Sequence, residues 1–493
     1  MTIEKKKISK FALFLIAISF LMLSGILIYN HYQKQNQVDI SSTELNQKEK
    51  VVDEKLKNYV CKYLEDSNQN ADKFSLQKAQ KIKNTDIYKM INLMPKGANL
   101  HLHYLANLSA EGTFDFCYDN PNVYIIPEKS GDFEDCQLYV SDNSLKVPKG
   151  FILFKDAIDK NILSKEQILN SWVMDSYNGD KQGVWTEFHK KFKKVKSLGT
   201  SEITYKDFYK ASFLENIKDN IQHLELRTNL NLLNLEDDKE NYGAKGIELI
   251  RQAFYEVKKE YPDFTLKIIL AQSKNKSGNI EFEDFMKITN NLKSKIKDTY
   301  DPQHTSDFIV GYDLVGEDKA GGIDIYIDKI KALKNEGINL TPYFHAGETD
   351  DINNDSIVKA YELGTKRVGH GTNLGDFPEL LEKFKTDKIC LEVCPISNQI
   401  LKLIPDIKTH PAYKYFREGV PIVLAPDDPF MFGSGGVSFD FFEAIVSWNL
   451  SLSDIKQLIT NSIKYSALST YEKEKAMETW KSKWEEFINS YNV

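Results

Sequence analysis

From Lys96 onward, short apolar runs alternate with longer stretches whose apolar positions recur every three to four residues. This is the pattern of buried parallel strands joined by amphipathic crossover helices. Eight runs qualify as strands: Ala98–Leu105, Ile221–Arg227, Thr265–Ala271, Phe308–Val315, Asn339–His345, Arg367–Gly371, Ile389–Cys394 and Pro421–Ala425. Eight is the number that closes a (β/α)8 barrel, and each run ends in polar or Gly-containing sequence, where such barrels build their sites. The predicted fold is α/β, a (β/α)8 TIM barrel over residues 94–490. The interval Tyr104–Asn220 between the first two strands is far longer than a βα connection needs, so an insertion over about residues 106–218 is expected after the first strand.

The chain ahead of the barrel reads as four zones. Residues 1–10 carry Lys5, Lys6, Lys7 and Lys10, and Phe11–Tyr29 then runs 19 residues without a charge. At about 1.5 Å per residue that run is about 28 Å long, close to the thickness of a bilayer core. It exceeds a signal-peptide core and no A-x-A-like cleavage site follows, so an N-terminal membrane anchor is expected ahead of a cleaved signal. The lysines place the remainder outside the cytoplasm, at the cell membrane, or secreted if the N-terminus is cleaved. Residues 30–50 form a polar stalk, and residues 51–93 are helical, with Val60, Tyr63 and Leu64 in one segment and Ile82, Ile87, Met90 and Ile91 in another. These helices are expected either to cap the barrel or to mediate a homodimer. Near the C-terminus, Ser451 and Asp454 form a capping-box pattern before Ile455, Leu458 and Ile459.

Composition narrows the classes without naming one. The chain has 493 residues, 64 Lys+Arg against 71 Asp+Glu and 41% hydrophobic residues. That apolar share supports a large core, and the net charge of −7 with mixed signs gives no field for a polyanion, which argues against a nucleic-acid binder. Five cysteines cannot staple a chain of this length. Cys390 and Cys394, four apart on a strand, lie too far apart to bridge and read as core, while Cys61 is left over.

The candidate chemistry sits at the strand ends. His101 and His103 flank Leu102, and alternate residues of a strand face the same side. The fifth strand ends in His345 and Glu348, the sixth in His370, the eighth in Asp427 and Asp428. Alone, each could be a capping or turn residue. Together, three carboxylates and four imidazoles at one barrel mouth repel unless a cation is present, and three imidazoles with one carboxylate suit zinc.

LMPKGANLHLHYLANLSAEGTF, FIVGYDLVGEDKAG, PYFHAGETD, RVGHGT, LEVCPISNQILKL and APDDPFMFGSGG resemble the adenosine deaminase family, in its extracellular adenosine deaminase 2 or growth-factor branch, from about Met94 to the C-terminal helices. The resemblance implies one zinc held by His101, His103, His345 and Asp427; Glu348 as proton donor to purine N1; and His370 and Asp428 orienting and deprotonating the attacking water. It implies contacts to a purine nucleoside from the backbone at Gly316 and from Trp185 in the insertion, and a disulfide between Cys117 and Cys136. The implied activity is deamination of adenosine, and of 2′-deoxyadenosine, to the hypoxanthine nucleoside and ammonia. The same branch leaves two rivals, a growth-factor-like binding protein on this fold and a deaminase acting on another purine. One departure bears on the second: the family's Asp after the second His, a sugar contact, is replaced by Tyr104. The H-x-E with P-C-x-x-C signature of the other zinc deaminase fold is absent.

Overall fold

Seven of the predicted strands are found near their expected bounds and the fifth only at its end, and the eight divide into two four-stranded parallel sheets. The computed structural model describes residues 44–65, 73–230, 233, 242–274, 280–319 and 321–491. The first sheet holds β1 (Gly97–His103), β2 (Ile221–Thr228), β3 (Thr265–Ser273) and β4 (Ile309–Val315), in that order. The second holds β5 (His345–Ala346), β6 (Arg367–His370), β7 (Cys390–Val393) and β8 (Ile422–Leu424). Two isolated parallel bridges, Leu102 with Asp427 and Tyr312 with Pro342, join the sheets at both seams and close the cylinder. β1 and β2 are buried along their whole lengths, so even their polar and charged residues, among them His101, His223, Glu225 and Arg227, lie inside the protein.

The fifth strand departs from expectation. Asn339–His345 reads as a full strand, yet only His345–Ala346 forms a ladder with the next strand. The residues before it cross β4 closely: Tyr312 N–H donates to the Thr341 carbonyl at 3.0 Å, and Tyr343 N–H to the Tyr312 carbonyl at 2.9 Å. That crossing depends on Gly311, where a Cβ would lie 2.1 Å from the Thr341 oxygen.

The N-terminal helices cap their own chain. Helix α1 (Gln47–Glu65) begins inside the predicted stalk because Asn46 and Glu49 cap each other's backbone amides. Its apolar face, Val52, Leu56, Val60 and Tyr63, is buried. Glu49 accepts from Trp484 Nε1 at 2.7 Å and Lys456 Nζ at 2.8 Å, and Asp53 accepts from the Leu452 amide at 2.7 Å, so α1 is tied to the C-terminal helices. Helices α2 (Leu76–Lys83) and α3 (Asp86–Leu93) follow, with Ser75 and Thr85 as their N-caps. The box of Ser451 and Asp454 caps helix Leu452–Lys464 as predicted. The expected anchor, residues 11–29, lies outside the described residues. Among the described residues no helix is long and apolar enough to cross a membrane.

The interval between β1 and β2 is a layer of its own, with a three-stranded antiparallel sheet (Val123–Ile125, Leu138–Val140, Ile152–Leu153) and helices on either side. Its helix α4 (Lys181–Val195) starts at Asp180, whose side chain accepts from the Gly183 amide. The expected disulfide is not formed: Cys117 and Cys136 are both free thiols. Cys117 faces the core from helix Ala110–Asp119, whereas Cys136 sits in a left-handed turn (φ +52°) fixed by Trp172 Nε1 donating to its carbonyl at 2.8 Å. Both are buried, and burial raises each thiol above its usual range, which disfavours the reactive thiolate. Cys390 and Cys394 are buried, as a core reading requires.

Candidate active site

Five groups converge at the C-terminal mouth of the barrel. His103 Nε2 lies 3.1 Å from His101 Nε2 and 3.0 Å from His345 Nε2. Asp427 Oδ1 lies 3.3 Å from both His101 Nε2 and His103 Nε2. The ligand atoms of His101, His345, His370 and Asp427 all fall within 4.8 Å of one another. The alternation of β1 gives the first two imidazoles a common face. The others depend on backbone that sequence alone does not disclose, since His370 and Asp427 hold left-handed conformations at φ +68° and +61°. Such conformations cost about 1–3 kcal/mol each and aim these side chains inward as their strands end. Gly369 makes room beside them, because a Cβ there would lie 2.9 Å from His101 Cε1.

Beneath the cluster is a layer of buried charge that the motif reading missed. His101 Nδ1 lies 2.8 Å from Glu392 Oε2, and His345 Nδ1 lies 2.7 Å from Asp313 Oδ2. Arg227 joins the two acids, donating from Nε to Asp313 at 2.7 Å and from Nη2 to Glu392 at 2.5 Å. Arg367 donates to Glu392 at 2.6 Å and also to Glu225. Burial opposes the charge on Asp313 and Glu392, yet both are held well below the carboxylate range, Asp313 by His345 and Arg227, Glu392 by Arg227 and Arg367. A signal for them existed, a charged residue interrupting each apolar strand: Glu225 and Arg227 on β2, Asp313 on β4, Arg367 on β6 and Glu392 on β7.

Those acids decide what the cluster can hold. An ionised carboxylate behind Nδ1 can only accept, so the neutral rings of His101 and His345 carry hydrogen on Nδ1 and a bare lone pair on Nε2. The lone pairs point at each other and at Asp427, an arrangement that only a cation or extra protons relieve. Burial opposes protonation of His101, but Asp427 and Glu392 outweigh it and raise its proton affinity; His345 is held down at about 3 by burial. Burial likewise works against charge on Asp427, but the imidazoles of His101 and His103 beside it outweigh burial and hold it well below the usual carboxylate range, and Ser397 Oγ donates to its Oδ2 at 2.7 Å. Three imidazole nitrogens and one carboxylate oxygen fit a divalent metal with N/O preference.

Two carboxyls beside the cluster are shifted opposite to Asp427. Burial, reinforced by the charge of Asp427, raises Glu348 well above the carboxylate range, and the same causes together with Glu348 raise Asp428. Glu348 is positioned through its backbone: its amide donates to Asp318 Oδ2 at 3.2 Å, and Asp318 is pinned by Lys274 at 2.7 Å and by Ser356 Oγ at 2.7 Å. Glu348 Oε1 stands 3.5 Å from His370 Nε2.

A cavity of about 660 Å³ opens above the cluster. His103, His345, Glu348, His370, Asp427 and Asp428 line its floor, and His101, fully buried, lies beneath. Gly316, at φ +94°, and Trp185 line its wall, Trp185 from α4, whose Phe188 stacks on Phe432 and ties the helix to the chain after β8. Tyr104, the departure from the family pattern, also lines this cavity. Its hydroxyl bonds Asn229, and burial chiefly keeps it un-ionised. All proposed metal, acid-base and substrate residues thus share one cavity or its floor. Only Cys117 and Cys136 stand apart.

Comparison with known proteins agrees. The family model described as adenosine deaminase matches residues 165–482. That span starts after β1, so His101 and His103 join the site through the barrel rather than through the matched segment. The chain is 30% identical to adenosine deaminase 2 of Dictyostelium discoideum over 422 residues, covering 82% of this chain and 75% of that protein. It is 31% identical to an adenosine deaminase of Lutzomyia longipalpis over 481 residues, covering 92% and 90%. Among solved structures, an amidohydrolase from Burkholderia ambifaria with bound Zn superposes with a TM-score of 0.56 at 14% identity, covering 82% of this chain and 94% of that one, a likeness of fold. Strand order, closed barrel and matched segment agree, and the chain belongs to the adenosine deaminase family, a family of hydrolytic deaminases.

Proposed function

We propose that this protein binds one zinc ion through His101, His103, His345 and Asp427 and deaminates adenosine and 2′-deoxyadenosine hydrolytically, outside the cytoplasm. The observation that carries the reading is the set of Nε2 lone pairs converging on Asp427, beside the Glu348 carboxyl, whose affinity for a proton burial raises. Zinc bound there supplies the Lewis acidity that makes water a nucleophile at neutral pH. The residues account for the protons. Glu348 protonates purine N1 as the water oxygen attacks C6, which cancels the negative charge entering the ring. His370 and Asp428 hold the water from the other side and Asp428 takes up its first proton, which leaves with the amino group as ammonia. As C6 becomes a carbonyl, the second water proton restores Glu348. Gly316 and Trp185 bound the space for base and sugar.

The location outside the cytoplasm is supported by the Lys-flanked run Phe11–Tyr29. Zinc-loaded full-length protein offered adenosine, 2′-deoxyadenosine, adenine and AMP should release ammonia from the two nucleosides, and a chelator should stop it. No ammonia from either nucleoside would overturn the reading. Release from adenine or AMP alone would keep the chemistry and move the substrate, with Tyr104 the first residue to examine.

A further inference from the structure

His370 is set apart from the other imidazoles by what stands behind it, and the trail leads to a histidine outside the cavity. His410 is the N-cap of helix Pro411–Arg417, where its Nδ1 accepts from the Ala412 backbone amide at 3.1 Å. A backbone amide can only donate, so Nδ1 carries a lone pair and the hydrogen of the neutral ring is on Nε2. Burial keeps that ring neutral, its pKa lowered to about 3. His410 Nε2 faces Asn398 Oδ1 at 3.0 Å, and Asn398 Nδ2 faces His370 Nδ1 at 3.0 Å. The direction set by one backbone amide thus passes through two side chains: His410 donates to Asn398, and Asn398 donates to His370. His370 Nδ1 is therefore the acceptor and Nε2 bears the hydrogen. That Nε2 has no hydrogen-bond partner of its own and looks into the gap between Glu348 Oε1 at 3.5 Å and Asp427 Oδ2 at 4.0 Å.

We infer that His410 and Asn398 are positioning residues which, acting through His370, fix its Nε2 as a hydrogen donor to the attacking oxygen and keep it out of the metal's ligand set. Asp428 is then the group that takes the water's proton. The contrast with His101 and His345 is chemical. A carboxylate behind Nδ1 bares Nε2 for a metal, whereas an amide NH2 behind Nδ1 does the reverse. An amide suits the middle of the relay because it accepts at one atom and donates at the other. The reaction part of this inference rests on the deaminase reading; the tautomer does not.

The test separates the two. Nitrogen-15 NMR of histidine-labelled protein, with nine histidines to assign, reads the tautomer of His370 directly. The wild type is expected to show hydrogen on Nε2. Asn398→Asp keeps shape but accepts at both atoms, so it should move the hydrogen to Nδ1 and lower kcat about 100-fold, the scale of one lost proton-handling contact, while KM and metal content stay within about twofold. His410→Gln keeps a donor toward Asn398 and should retain the tautomer and most of kcat. A wild-type His370 with hydrogen on Nδ1 would overturn the inference even if both variants failed to fold. So would an Asn398→Asp protein with tautomer and kcat unchanged. A relay seen by NMR in a protein that deaminates no nucleoside would overturn the deaminase reading, and with it the reaction part, while leaving the tautomer assignment intact.

Discussion

The two halves of this barrel are built differently. The strands β1 to β4 run seven to nine residues, while β5 to β8 run two to four. The long half contributes His101 and His103 and, in the charged layer below the cluster, Arg227 and Asp313. The short half contributes His345, Glu348, His370, Asp427 and Asp428, several of them where the backbone has just left the ladder. Long strands hold charges in fixed positions. Short strands let the chain turn early, through the left-handed His370 and Asp427, and present side chains that regular pleating would aim elsewhere. The first half is expected to govern stability and metal retention, the second the chemical step.

Glu348→Gln tests the short half and carries the largest expected effect. On the proposed mechanism it removes the proton for N1 but keeps shape and hydrogen bonding, so kcat should fall about 1,000-fold, or about 4 kcal/mol, with metal content and melting temperature unchanged. Turnover near wild type would remove its role. Arg227→Met tests the long half. It leaves Asp313 and Glu392 without the guanidinium between them, at an expected cost of about 3–5 kcal/mol in chemical denaturation and with weaker metal retention. If stability held and only kcat fell, the division between halves would be wrong. Tyr104→Phe is the smallest and the sharpest. Tyr104 follows β1 directly yet lines the cavity, and losing its bond to Asn229 should raise KM for adenosine a few-fold, about 1 kcal/mol, with kcat and stability little changed. A change in kcat instead would give the long half a part in the chemical step.

Much of this was legible in the sequence because barrel strands are fully buried. Short runs rich in apolar residues marked seven strands near their observed bounds and the end of the fifth, and the motifs at their ends named the residues that line the candidate metal cluster and its flanking carboxyls. The fifth strand was over-read because an apolar run reports burial, whereas the ladder there is interrupted by the close crossing at Gly311. The stalk was over-extended because the mutual cap of Asn46 and Glu49 starts a helix in polar sequence. The Cys117–Cys136 bridge followed from resemblance, and the two thiols stand free.

By itself, then, the sequence pointed to the strand count, a closed barrel and the groups at its mouth, because strand period and the apolar share of a run are local properties of the chain. Which imidazole can hold a metal and which carries a hydrogen was decided only by the tertiary structure. A ring's tautomer is set by whatever stands behind its other nitrogen, and the groups behind these rings, Glu392, Asp313 and Asn398, come from strands and loops that meet only when the barrel closes.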